Sequence, residues 1–149
     1  VASIRDERIE SVQIDADGPT TKADCLNHLY DALVGYETET GISTKAIVLH
    51  DAEDVVHPLE LKLFDRLIVR AAVIQLPVLP LIDRGSRWVS GHYCDEFPVA
   101  HIKELVVREA VGAAIPLAGV GCAIARGPLA QLAAQQEGKP FAGTSMTED

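Results

Sequence analysis

The sequence predicts an α/β domain in which a mainly parallel sheet is flanked by helices. Apolar runs of four to six residues alternate with segments whose apolar residues recur at helical spacing, as in successive βαβ units. The clearest run, KAIVL at 45–49, reads as a strand buried on both faces. The 149 residues, 48% hydrophobic and 23% charged, suffice for one core and suggest a single domain over 1–149.

Residues 11–14 read as a short first strand, and Asp17-Gly18-Pro19 as the turn after it. Leu26, Leu29, Tyr30 and Leu33 recur at helical spacing, with Gly35 expected to stop that helix. After the KAIVL strand, Pro58 is expected to open a helix whose apolar stripe is Leu59, Leu63, Phe64, Leu67 and Ile68. Residues 72–76 read as a third strand, and Pro77 and Pro80 keep the next stretch from being a central one. A polar loop or hairpin carrying Trp88 is expected over 83–90, followed by a helix over about 100–111. A strand near 122–125 and a helix begun by Pro128 complete the order.

Charge and cysteine usage exclude several classes. The 22 acidic against 13 basic residues give a net charge of −9 with no Lys/Arg cluster, which argues against a nucleic-acid backbone as partner. Cys25, Cys94 and Cys122 are far apart and form no CxxC pair, so they read as small apolar residues in a reducing compartment rather than zinc ligands. The longest uncharged stretch, 110–125, is broken by Gly112, Pro116, Gly119 and Gly121 and falls short of the roughly 18 apolar residues that span a bilayer. The chain starts at Val1, shows no signal peptide and ends on Thr147-Glu148-Asp149 without a closing element, so it reads as a piece of a longer protein.

The richest chemistry lies in His50-Asp51-Ala52-Glu53-Asp54, directly after the KAIVL strand. Ligands of open α/β sheets bind beyond the carboxyl ends of strands, and three carboxylates there suit a hard cation such as Mg²⁺ or Mn²⁺. An extended backbone would point Asp51 and Glu53 to one side; a helical turn would put Asp51 and Asp54 on one face. The plainer alternative has Glu53 and Asp54 merely decorating the start of the Pro58 helix. His50 and His57 lack a third nitrogen or sulfur ligand and read as surface or core histidines, and His28, His92 and His101 as structural ones.

A second signal is Gly18-Pro19-Thr20-Thr21-Lys22-Ala23-Asp24, where Thr21 and Asp24 fit a capping box. Its helix N-terminus, with Lys22 beside it, offers donors to a diphosphate. An acidic protein holds an anionic nucleotide only where a metal or local donors offset the repulsion, so the two signals support each other.

Taken in order, Lys22-Ala23-Asp24-Cys25-Leu26-Asn27, Leu49-His50-Asp51-Ala52-Glu53-Asp54, Gln75-Leu76-Pro77, Gly119-Val120-Gly121 and Thr147-Glu148-Asp149 resemble glycosyltransferase family 2, and its membrane-associated bacterial members in particular. The resemblance runs from about Gly18 to the end and implies a Rossmann-like GT-A fold, truncated at both ends. It also implies inverting transfer of a sugar from a nucleotide-diphosphate sugar to a saccharide or lipid-linked acceptor, with a divalent metal. Asp51 and Glu53 fall at the family's DxD position, which implies that Asp51 contacts nucleotide or metal and Glu53 ligates metal. Because Glu replaces the second Asp, Asp54 stands as the alternative ligand. Asp149, in a terminal TED, is implied as the general base, Lys22 as a neighbour of the nucleotide, and Gly119 and Gly121 as part of the donor and acceptor site. For Gly119 and Gly121, close packing of a strand is the competing reading. Tyr93-Cys94-Asp95-Glu96-Phe97 also recurs in these relatives, without an assigned role. The resemblance places the parent protein at the cytoplasmic face of the bacterial inner membrane, with this part soluble and, alone, a poor catalyst.

Two further readings are open. Strand-end carboxylates also serve metal-dependent phosphoryl or nucleotidyl transferases, although no P-loop is present. The non-enzymatic alternative is a GT-A-like domain that binds a partner or regulatory nucleotide in a phage-receptor or polysaccharide-export system.

Overall fold

The computed structural model describes residues 6–15 and 17–143. They form two compact units, one of the residues up to Lys45 and from Arg126 onward, the other of Ala46–Ala125.

The first unit holds helices α1 (Lys22–Thr40) and α5 (Arg126–Gln135). The α1 start follows from local chemistry: the Thr21 hydroxyl accepts from the Asp24 amide at 3.1 Å, and the Asp24 carboxylate accepts from the Thr21 amide at 2.9 Å. Those Thr21 donors hold the Asp24 carboxyl below its ordinary range. Ala23, Asn27 and Tyr30, spaced by four and three, form the buried face. Gly35 does not end this helix; it lies inside, and Gly41 caps it at φ 69°, its N–H reaching the Glu37 carbonyl. A glycine costs a helix interior only about 1 kcal/mol, too little to stop one whose hydrogen bonds continue on both sides. Two buried hydrogen bonds join Asn27 to the backbone of Phe141: Nδ2 donates to its carbonyl at 2.9 Å and Oδ1 accepts from its amide at 3.0 Å. Residues 11–14 are irregular rather than a strand.

The second unit is a three-stranded sheet with helices. Strands β1 (Ala46–Leu49), β2 (Val73–Gln75) and β3 (Cys122–Ala125) lie in the order β1-β3-β2. The helix α2 (Glu60–Leu67) connects β1 to β2, and those two strands share a direction. The ladders themselves are both antiparallel, not parallel as expected: Ala46 opposes Ala125, and Val73 opposes Ile124. Apolar periodicity reports burial but not the direction of a partner distant in the chain, so β3 could enter between its neighbours unannounced. The central position also falls to β3, with Cys122 and Ala123 wholly buried, whereas β1 is half-buried. Phe64 of α2 and Ile68, its C-cap, pack with Ile74 and Ala123 as the core, with Leu67 beside them. Burying Phe64 contributes roughly 2–3 kcal/mol. Leu59 and Leu63, expected on that stripe, are exposed.

The expected loop over 83–90 is helical from Arg87. One run continues from α3 (Arg87–Pro98) through a π-helical segment (Val99–Glu104) into α4 (Leu105–Ala110). Among the described residues no helix is long and apolar enough to cross a membrane.

Candidate functional site

The chain leaves β1 at Leu49 and turns at once. The Asp54 amide donates to the Asp51 carbonyl at 3.2 Å, closing a turn over 51–54, and the Asp54 carboxylate folds back to accept from the Asp51 amide at 2.9 Å. Of the two geometries open to this stretch, the turned one is present. The same Asp54 oxygen faces His50 Nδ1 at 3.2 Å, while His50 Nε2 lies 2.7 Å from Glu60 Oε1. With a carboxylate oxygen at each ring nitrogen, both contacts are hydrogen bonds to carboxylates only when the imidazole carries two protons. His50 is thus a bridge between the strand-end turn and α2. The acidic residue in the first turn of α2 is Glu60, so Glu53 and Asp54 do not decorate that helix.

Across from this turn, Gly121 crosses the ends of two strands: its N–H donates to the Leu49 carbonyl and its carbonyl accepts from the Leu76 amide, each at 2.9 Å. Gly119 and Gly121 both have left-handed backbone, φ 71° and 59°. A Cβ on Gly121 would lie 3.1 Å from Val78 Cγ2. These glycines therefore shape a tight entry into β3, beyond the close packing that small residues alone would give. Between the acidic turn and the glycine turn lies a cavity of about 370 Å³, lined by His50, Glu53, Asp54 and Glu60 on one side and by Val78 and Gly121 on the other. Its position beyond the carboxyl end of β1 is where open α/β sheets take ligands.

The chain matches the family described as glycosyltransferase like family 2 along residues 1–149. It belongs to that family. It is 42% identical over 132 residues to bacteriophage adsorption protein B of Escherichia coli (strain K12), and equally so to bacteriophage N4 adsorption protein B of Escherichia coli O157:H7. Each match covers 89% of this chain and 18% of the relative, so the chain spans less than a fifth of the length of these curated relatives. No solved structure matches it.

For a glycosyltransferase family 2 chain, the sequence-predicted residues fall as follows. Asp51, Glu53 and Asp54 share the strand-end turn with Gly119 and Gly121 in the same unit, and Glu53, Asp54 and Gly121 line the cavity. The three carboxylates are not gathered into one ligand group: among the described residues no cluster of three or more His, Cys, Asp or Glu is placed to hold a metal. Asp54 is drawn off to the Asp51 amide and His50, and Glu53 is exposed. Lys22, at the first position of α1, belongs to the other unit. Asp149 lies outside the described residues.

Two residues the sequence reading set aside contribute to this region. His50, taken for a surface or core histidine, ties the acidic turn to α2; the available signal was its position one residue past the strand with Asp54 four residues on. His101, buried in the π-helical segment, accepts from the Val78 amide at 3.3 Å and stacks on Phe97 at 5.6 Å, fixing the wall that Val78 forms. Burial pushes its imidazole below the ordinary range, which suits an uncharged ring with Nδ1 as acceptor. The six-residue π-helical segment after Pro98 carries this ring. His57 bonds locally, its Nδ1 accepting from the Leu59 amide and its carbonyl from the Glu60 amide.

Proposed function

We propose that residues 1–149 are part of one glycosyltransferase catalytic domain that transfers a sugar, with inversion, from a nucleotide-diphosphate sugar to an acceptor hydroxyl. The observation that carries this reading is the juxtaposition of the acidic turn after β1 with the glycine turn before β3 across one cavity. In such a reaction the sugar gains oxocarbenium character while negative charge builds on the departing diphosphate. Lys22 and the first-turn amides of α1 supply donors suited to phosphate oxygens. Gly119 and Gly121 let backbone approach the donor where a side chain would block it.

A divalent cation fits the donor set. Mg²⁺ is held by one or two carboxylates with waters and substrate phosphates completing its shell, so a full cage of protein ligands is not required. On the family resemblance rather than the turn geometry, Asp51 and Glu53 are the residues assigned to hold it, all hard oxygen; Asp54, whose oxygen accepts from Asp51 N–H, is assigned to shape the turn. When bound, Mg²⁺ or Mn²⁺ neutralises charge developing on the diphosphate. Asp149 is assigned as the base that takes the acceptor proton. The acceptor is a saccharide or a lipid-linked one, and the parent protein acts at the cytoplasmic face of the bacterial inner membrane.

The test is calorimetric titration of uridine diphosphate with Mn²⁺ into wild type and Asp51→Ala. Metal-dependent binding that Asp51→Ala loses supports the proposal. Indifference to metal and to the substitution supports the second reading, a binding module without catalysis in a phage-receptor or polysaccharide-export system. That reading is favoured by one fact, that both relatives are named for bacteriophage adsorption.

A further inference from the structure

Gln75 is the last residue of β2, a polar side chain closing an apolar run. Its amide is spent on the neighbouring Leu76 carbonyl and on the glycine turn and its approach. Nε2 donates to the carbonyls of Leu76 at 2.8 Å, Val120 at 3.0 Å and Gly121 at 3.3 Å, and Oε1 accepts from the Ala118 amide at 2.8 Å. Two N–H bonds serve three acceptors, so the carboxamide is held from several directions at once. Apart from the adjacent Leu76 carbonyl, these partners span residues 118–121, a stretch with two left-handed glycines and no ladder of its own. Glycine adopts that conformation without strain but also many others, so the surroundings must determine which one the turn holds. Gln75 supplies that determination, together with the Leu49 carbonyl and the Leu76 amide on either side of Gly121.

We infer that Gln75 is a positioning residue for the donor site: it sets the 118–121 turn, and through Val120 and Gly121 it sets the floor of the cavity opposite the acidic turn. Gln75 does not itself line the cavity, so it acts on a ligand only through that backbone. The inference rests on the donor-site reading above. Leucine at this position keeps the volume but offers neither donor nor acceptor, leaving the Val120 carbonyl and the Ala118 amide without this partner, while the Gly121 carbonyl keeps the Leu76 amide. Glutamate keeps an acceptor for the Ala118 amide but has no N–H for the carbonyls.

Hydrogen–deuterium exchange and Mn²⁺-dependent uridine diphosphate titration on wild type, Gln75→Leu and Gln75→Glu decide it. The expected result for Gln75→Leu is exchange over 118–121 faster by about tenfold or more, with the Ile47 and Val48 amides of the sheet unchanged, and uridine diphosphate affinity lowered about tenfold. Gln75→Glu is expected to keep the Ala118 amide protected while losing affinity; it carries the test should Gln75→Leu fail to fold. Unchanged exchange in Gln75→Leu, or faster exchange with affinity equal to wild type, overturns the inference and leaves the donor-site reading standing. A wild type that binds no uridine diphosphate removes the donor-site reading and the positioning role with it.

Discussion

The guanidinium of Arg126 is clasped by the carboxylate of Glu37, with Nη2 at 2.7 Å and Nε at 3.0 Å from Oε2, while its Nη1 donates to the Tyr30 hydroxyl at 3.0 Å. The same guanidinium lies 5.1 Å from the centre of the Tyr30 ring. Arg126 begins α5 and Glu37 lies late in α1, so one bidentate pair ties the two helices of the first unit.

Acid should loosen that tie in a defined window. The Arg126 hydrogen bonds hold Glu37 well below its ordinary 4.5, at about 2. A carboxyl depressed by folding adds stability that is complete above its unfolded value and is lost as pH falls through the folded one. Thermal melts of wild type and Glu37→Gln should therefore differ by a constant amount above about pH 5 and converge between 4.5 and about 2. A gap that persists unchanged at pH 2 would contradict the assignment.

Three glycines should respond to alanine in three ways. Gly35 lies within α1 with open space around it, so Gly35→Ala should stabilise by about 1 kcal/mol. Gly41 also has open space but needs φ 69°, so Gly41→Ala should cost about 1–2 kcal/mol. Gly121→Ala adds contact with Val78 to the same backbone penalty and should cost more than Gly41→Ala. In urea unfolding, Val78→Ala should recover part of the Gly121→Ala loss, and strict additivity of the two would rule out the steric contribution.

Asn27 serves both backbone groups of Phe141 out of water. Replacement by leucine strands a buried N–H and a buried carbonyl, a loss of roughly 2–4 kcal/mol. Aspartate keeps only the acceptor and should fall between the two. Equal stability of Asn27→Leu and wild type in denaturant melts would show that Phe141 finds other partners.

Asp54 is expected to act as a turn cap rather than as a metal ligand. Asn keeps an oxygen for the Asp51 amide, so Asp54→Asn should retain Mn²⁺-dependent uridine diphosphate binding, while Asp54→Ala should lose about 1 kcal/mol of stability and weaken that binding. Loss of metal dependence in Asp54→Asn equal to that in Asp51→Ala would instead make Asp54 a ligand.

What the sequence reveals here divides by distance along the chain. The capping box is legible because Thr21 and Asp24 are three residues apart and satisfy each other locally. The strands at 46–49, 73–75 and 122–125 are legible as apolar runs, yet their directions depend on partners far away, which periodicity does not encode. Residues 11–14 had the composition of a strand without a neighbour to pair with among the described residues. At the site, the acidic residues could be found from their place after KAIVL. The hydrogen bonding among them could not, because it depends on His50 and on which oxygen Asp54 gives to the Asp51 amide. Gln75 does carry a local signal: a polar side chain at the end of an apolar strand, where an unpaired amide would be costly.

The order β1-β3-β2 also governs how this sheet comes into being. Neither β1 nor β2 has a ladder to the other; Ala46 waits for Ala125, and Gln75 waits for Cys122. Among the described residues both segments therefore find a ladder only once β3 is made, an interval in which loop-closure entropy slows the search and intermolecular pairing competes.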